Sequence, residues 1–265
     1  MKTGLALSGG AVRGIAHIGV LKYLEENNIE IDLVAGTSAG SLVGALYAAG
    51  KSASEIEEIV RDIHWKDILK YIYSVSFPKK GLINIEFLKK IIDRHLGNPS
   101  FDQLKKPLII VAVDLLKNRA IFLDSGDVTS AVMASSAIPG IFTPVERDGL
   151  ILVDGGVLQN VPTAPLAQAG VDNIIAVNLN AHSLPEEPPQ SIFDILYRTI
   201  LIKTRDGEQE DMGRADFALK PAIGHVGLWE LDKAEELVEL GYEEARKVLG
   251  DAKMKKSLWE KILPR

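Results

Sequence analysis

Ser38 is marked out by its neighbours: Gly36-Thr37-Ser38-Ala39-Gly40 has the Gly-x-Ser-x-Gly spacing. Gly36 and Gly40 allow a sharp strand-to-helix turn that holds a serine hydroxyl out at the C-terminal edge of a sheet, as a nucleophile requires. A second feature is the run Ser8-Gly9-Gly10-Ala11-Val12-Arg13-Gly14, lying between a short apolar run and a helix-periodic segment. Backbone N–H groups at such a helix entry attract negative charge. The loop therefore suits a phosphate or the oxyanion of an acyl-transfer intermediate. It lacks the Gly-x-x-x-x-Gly-Lys-[Ser/Thr] run, and Ala11 interrupts the dinucleotide Gly-x-Gly-x-x-Gly spacing, which favours the oxyanion. Arg13 either neutralises a bound anion or braces the loop.

A serine nucleophile needs a base, and the simplest arrangement is a triad. In a Ser-His-Asp triad, His182 would be the base and Asp154 would orient it, in the chain order of α/β-hydrolases. Against this, the elbow follows only the second strand of the chain, and His182 leads directly into a Pro-rich stretch. Asp154 has a setting of its own. It closes an apolar strand and precedes Gly155 and Gly156, which leave its carboxylate room to reach the end of a neighbouring strand; the plainer alternative is an Asp-Gly turn such as Asp148-Gly149. His17, His64, His95 and His225 show no spacing that marks a catalytic or metal-binding pair and read as structural histidines, so no metal site is expected.

These residues need a scaffold. Gly4-Leu5-Ala6-Leu7 reads as a strand, followed by helical spacing at Ile15, Ile18, Leu21 and Leu24. Leu33-Val34-Ala35 reads as a second strand, with Leu42, Val43, Leu46 and Tyr47 continuing as a helix on which Gly40, Gly44 and Ala48 form a small-residue stripe. That reading also explains the uncharged run Leu33 to Gly50 without a membrane span, since it holds four glycines and the hydroxyls of Thr37, Ser38 and Ser41. Ser52 with Glu55 is a helix start, the aromatic and basic stretch Tyr71 to Leu82 is a surface connection or a cover, and Ile85 to Leu96 is a helix. Leu108 to Val113 has the continuous apolar character of a strand buried on both faces, with Ala120 to Leu123 beside it. A helix over Thr129 to Ala137, a hairpin over Thr143 to Val153 and a strand at Ile174 to Val177 complete the pattern. Alternating strands and helices predict an α/β fold, a layered α/β/α arrangement with a mostly parallel central sheet, in a single domain over 1–265. Sequence after the Pro-rich stretch 185–189 turns helical and charged, as a C-terminal extension.

Composition narrows the function classes. The 265 residues are 46 % hydrophobic and 25 % charged, which excludes a disordered or fibrous chain. A formal net charge of −6 and the absence of a basic patch argue against nucleic acid as a partner. With no cysteine there is no disulfide, thiolate nucleophile or Cys-ligated metal, and a reducing, cytoplasmic compartment fits. No signal peptide is read at the N-terminus. Basic residues around Leu258, Trp259, Ile262 and Leu263 in Lys253 to Arg265 suit a transient contact with an anionic membrane surface or a final helix packed on the core.

Four groups of residues together resemble the patatin-like phospholipase family, in particular its small bacterial members. They are Ser8 to Gly14 with Ala16-His17-Ile18-Gly19-Val20-Leu21; Gly36 to Gly40; Ala134-Ser135-Ser136-Ala137-Ile138-Pro139 with Phe142-Thr143-Pro144; and Asp154-Gly155-Gly156 with Asn160-Val161-Pro162. They occur in the family's order within residues 3–180, and the rest of the chain carries no matching motif. The resemblance implies a Ser-Asp dyad, with Ser38 as nucleophile and Asp154 as its direct base. It implies an oxyanion hole at Gly9, Gly10, Ala11, Arg13 and Gly14, where many members have glycine in place of Ala11. It further implies hydrolysis of lipid or other carboxylic esters, of the phospholipase A, lysophospholipase or esterase type, through an acyl-serine intermediate and without metal or cofactor. The alternative is a non-catalytic lipid-binding or adaptor module on the same fold.

Overall fold

The computed structural model describes residues 1–62, 86–181, 188, 192–227 and 230–254. His64, His182, the stretch 71–82 and residues 255–265 lie outside the described residues. Strands β1 (Thr3–Leu7), β2 (Leu33–Thr37), β3 (Leu108–Asp114), β7 (Asn173–Val177) and β8 (Phe217–Leu219) run parallel in the order β3-β2-β1-β7-β8. At the β3 end, β4 (Arg119–Leu123), β5 (Val145–Arg147) and β6 (Leu150–Asp154) add antiparallel pairings. The architecture is thus the expected α/β one around a mostly parallel sheet.

Side-chain alternation explains why helices cover both faces. Leu5 and Leu7 of β1, Val34 of β2 and Ile175 and Val177 of β7 join one large core. The intervening Ala6, Ala35, Ile174 and Ala176 join a second, smaller one. Against the large core lie α1 (Ala16–Glu26), α2 (Ala39–Ala48), α3 (Ala53–Asp62), α4 (Glu86–Leu96), α5 (Val128–Ser135) and α8 (Ala234–Met254). Against the smaller one lie α6 (Thr163–Gln168) and α7 (Ile192–Gly213), through Leu166 and Met212. Ser52 and Glu55 form the reciprocal cap anticipated at the start of α3, Glu55 N–H donating to Ser52 Oγ (3.2 Å) and Ser52 N–H to Glu55 Oε2 (2.8 Å). Among the described residues no helix is long and apolar enough to cross a membrane; the uncharged run from Leu33 is β2 and α2.

The C-terminal part of the chain does more than extend the fold helically. β8 is a sheet strand, and α8 packs along α1 so closely that a Cβ on Gly19 would overlap the Val238 carbonyl and one on Gly241 the Ala16 carbonyl. Two facing glycines let the helix backbones touch.

Candidate active site

Register on β3 brings the two candidate catalytic residues together. Thr37, at the end of β2, pairs with Val111, and Asp154, at the end of β6, pairs with the next residue, Ala112. Since β4 occupies the other edge of β3 across Ile110 to Asp114, β2 and β6 share one edge and meet with their C-terminal ends. Ser38 is the first residue past β2, so its side chain comes to Asp154, and Gly155 allows the close fit because a Cβ there would crowd the Val111 carbonyl.

The turn at Ser38 departs from the expectation about its glycines. Ser38 itself takes the unusual backbone, φ 51° and ψ −122°, a strained conformation of the kind that clusters at functional sites. Gly36 and Gly40 are needed for space: a Cβ on Gly36 would press on Gly40 O and Ser41 Cα, and one on Gly40 would overlap Leu7 O. The turn is held from below by Ser135, whose Oγ accepts from Ser38 N–H (2.8 Å) and donates to Val111 O (2.6 Å). From inside the helix, Ser41 N–H and Ser41 Oγ both donate to Ser38 O (2.8 and 2.6 Å).

Ser38 and Asp154 are both buried, and both line one small cavity where β2 and β6 meet. Burial pushes the Asp154 pKa up to about 6, a rise moderated by the Ser38 hydroxyl and by Gly156 N–H, which donates to Oδ1 at 2.8 Å. Asp154 N–H in turn donates to Ala137 O (3.0 Å), so the Ser135-Ser136-Ala137 segment supports both residues.

The Gly-rich loop is used unevenly. Gly9 N–H donates to Asn160 O (3.3 Å), whereas the N–H groups of Gly10 and Ala11 have no acceptor among the described residues. Ala11 adopts φ 50°, a left-handed conformation, and not the negative φ expected for an alanine there. Arg13 resolves to the bracing alternative: its guanidinium is buried, with Nε donating to Val226 O (2.8 Å) and Nη2 to Gly224 O (3.2 Å). Gly14 gives way to Ala39, whose Cβ occupies the space a side chain would need. Neither Arg13 nor Gly14 lines the small cavity at Ser38; that cavity is lined by Gly9, Gly10, Ala11, Asp154 and others, and its volume is about 20 Å³. Ile200 and Leu201 of α7 form part of its wall. Leu201 also borders a larger cavity of about 470 Å³ between α7 and the ends of β7 and β8.

His17 is buried and structural. Its Nε2–H donates to Ser8 O (2.8 Å), and burial lowers its pKa to about 4, so the ring is neutral near pH 7. His225 lies at the surface, its Nε2 2.7 Å from Glu236 Oε1. Among the described residues no group of three His, Cys, Asp or Glu is arranged to hold a metal ion.

Two supports went unseen in the sequence. Ser135 is one. The other is a pair of carboxylates on α7: Glu208 accepts from Asn160 Nδ2 (2.8 Å) and Asn178 Nδ2 (3.0 Å), and Asp211 accepts from Thr163 Oγ1 (3.3 Å) and Arg214 Nη1 (2.6 Å). Burial raises both pKa values, that of Asp211 to about 6. They tie α7 to the loop between Asp154 and α6, and through Asn160 to Gly9.

Comparison with known proteins gives a consistent result. The family model described as patatin-like phospholipase matches residues 5–167, which contain the Gly-rich loop, the Ser38 turn, Ser135 and Asp154. An uncharacterised NTE family protein of Mycobacterium bovis is 36 % identical over 179 residues, covering 68 % of this chain and 49 % of that protein. Human patatin-like phospholipase domain-containing protein 6 is 32 % identical over 183 residues, 67 % of this chain and 13 % of its own length. The chain thus spans at most about half of these relatives. Among solved structures, VipD from Legionella pneumophila shares the fold with a TM-score of 0.54 at 14 % identity, over 94 % of this chain and 67 % of that one. With a family model spanning most of the described motifs and relatives above 30 % identity, the chain belongs to the patatin-like phospholipase family.

Proposed function

We propose that the chain is a serine hydrolase of carboxylic esters in lipids, of phospholipase A, lysophospholipase or esterase type, acting as one hydrolase domain with Ser38 as nucleophile and Asp154 as its base. The observation that carries this reading is Ser38 on a strained turn, sharing one small cavity with the buried Asp154 and with Gly10 and Ala11, whose N–H groups have no acceptor among the described residues. In the reaction, Ser38 Oγ attacks the ester carbonyl carbon while its proton passes to the Asp154 carboxylate. The N–H groups of Gly10 and Ala11 receive the negative oxygen of the tetrahedral intermediate. Collapse breaks the bond to the alcohol, which leaves with the proton from Asp154. Water then attacks the acyl-Ser38 carbonyl, Asp154 again takes the proton, and the carboxylic acid departs as Ser38 is regenerated.

Relatives named lysophospholipase support a lysophospholipid among the substrates; one from Pyricularia oryzae is 26 % identical over 99 % of this chain. The test is fluorophosphonate labelling together with turnover of p-nitrophenyl butyrate and lysophosphatidylcholine. Ser38→Ala should lose labelling and turnover, and Asp154→Asn should lose turnover to the same level. His182→Ala and His225→Ala should keep most of it. A folded histidine variant as inactive as Ser38→Ala would overturn the dyad, because loss of a positioned base costs about 10²–10⁴-fold. A wild-type chain that neither labels nor turns over would overturn the hydrolase in favour of a lipid-binding module.

A further inference from the structure

The small cavity at Ser38 is too small for any ester, since about 20 Å³ holds roughly one water molecule. Part of what closes it is α7, through Ile200 and Leu201. That helix has two unlike halves. From Gly207 onwards it is acidic and anchored, with Glu208 and Asp211 buried on Asn160, Asn178 and Thr163. From Ile192 to Asp206 the charged residues are three cations, Arg198, Lys203 and Arg205, with an acid towards each end, Asp194 and Asp206, a net positive stretch in a chain of net charge −6. The same half exposes Ile195, Leu196 and Ile202 by 47 %, 40 % and 67 %, and Leu158, near the Asp154 end of the cavity, is 47 % exposed. Large aliphatic side chains exposed together with basic ones form a surface suited to an anionic lipid interface. Between the halves, Gly207 has no neighbour within 4 Å of the position a Cβ would take, so close packing does not require glycine there, and glycine weakens a helix interior.

We propose that residues 195–205 of α7 dock on an anionic lipid bilayer and thereby draw Ile200 and Leu201 away from Ser38, opening the ester site while Glu208 and Asp211 hold the rest of the helix. The proposal rests on the lipid-hydrolase reading for its consequence, not for the docking itself. Ile195 and Ile202 supply apolar area to the acyl boundary, and Lys203 and Arg205 pair with lipid phosphates. The opened site then faces the phase that holds its substrate.

Co-sedimentation with phosphatidylcholine vesicles, with and without phosphatidylglycerol, reads the docking without reference to activity. The full chain should sediment with the phosphatidylglycerol vesicles and much less with phosphatidylcholine alone. The double variant Ile195→Gln, Ile202→Gln should bind at least about tenfold more weakly, and Lys203→Gln should lose part of the dependence on phosphatidylglycerol. Thermal melting of the variants, whose changes lie at exposed positions, confirms folding. Without vesicles, turnover of dissolved p-nitrophenyl butyrate reads only the small fraction of chains that open spontaneously, and it should stay within about twofold of wild type in the double variant, while turnover of phosphatidylglycerol in vesicles falls with binding. Equal vesicle binding by wild type and the double variant would overturn the proposal. So would a dimer in sedimentation velocity that the double variant dissolves, since the face would then belong to a second copy. A wild-type chain that binds vesicles but hydrolyses no ester would leave the docking standing and overturn the hydrolase.

Discussion

At the scale of single residues, Asp154 and His17, both buried near the site, move stability in opposite directions with pH. Burial raises the folded pKa of Asp154 from its ordinary 3.8 to about 6, so between these pH values the native state holds a proton the unfolded chain has lost. Stability therefore falls as pH rises through that window, by about 3 kcal/mol at its end. Asp154→Asn should remove this cost: denaturant unfolding at pH 7.5 should show the variant more stable by about 1–3 kcal/mol, although inactive, and the gap should close towards pH 4. For His17 the folded pKa is depressed to about 4 from 6.5, so its contribution is complete above pH 6.5 and is lost as pH falls towards 4. Ser135 offers a different test. Ser135→Ala leaves Ser38 N–H and Val111 O without their shared partner, at a stability cost of about 1–3 kcal/mol. Turnover of p-nitrophenyl butyrate should drop by about tenfold or more with little change in KM, because the turn loosens while no substrate contact is lost. An unchanged turnover number would show that the Ser38 turn holds without it. Ser38 and Asp154 were legible in the sequence because glycines advertise a turn and a close approach. The bracing role of Ser135 was not, since a hydroxyl in a helix has many uses and its two partners lie on β3 and just past the end of β2. The φ of Ala11 was likewise hidden, because nothing in an alanine announces a left-handed backbone.

At the scale of elements, the contact between α1 and α8 has the least tolerance. The reciprocal approach at Gly19 and Gly241 leaves no room for a methyl group, and the atoms that would have to move are backbone. Gly241→Ala should therefore destabilise by about 3 kcal/mol, read as a lower urea midpoint with an unchanged slope, whereas Gly207→Ala on α7, which has open space, should be neutral or stabilising. A Gly241→Ala chain as stable as wild type would mean that the helices can slide apart freely. Helical periodicity made α1 and α2 legible, and short continuous apolar runs made β1, β2, β3 and β7 legible. It missed β8, whose three residues are too few to show alternation and which is a strand only because β7 offers it an edge. The acids of α7 read only as part of a helical, charged stretch for a similar reason: only the tertiary fold brings Asn160, Asn178 and Thr163 to them.

At the scale of the whole molecule, the sheet arranges its chemistry by strand ends. β2 and β6 converge on β3, so Ser38 and Asp154, the proposed nucleophile and base, come from far apart in sequence to adjacent positions in register. The motif-bearing region matched by the family model ends at residue 167, yet the structure that buries it does not. The clasp between Gly19 and Gly241 has a consequence for how the protein is made. During synthesis α1 leaves the ribosome early, and the groove that receives it exists only after α8 has followed, 222 residues later between the two glycines. At about 5–20 residues per second that interval is roughly 10–45 s, during which an apolar helix face waits without its partner and is open to chaperones or to other nascent chains. Nascent chains stalled before residue 234 should accordingly be cleaved by protease within α1, and chains released beyond residue 254 should resist; early resistance would show that α1 finds its place without waiting for α8.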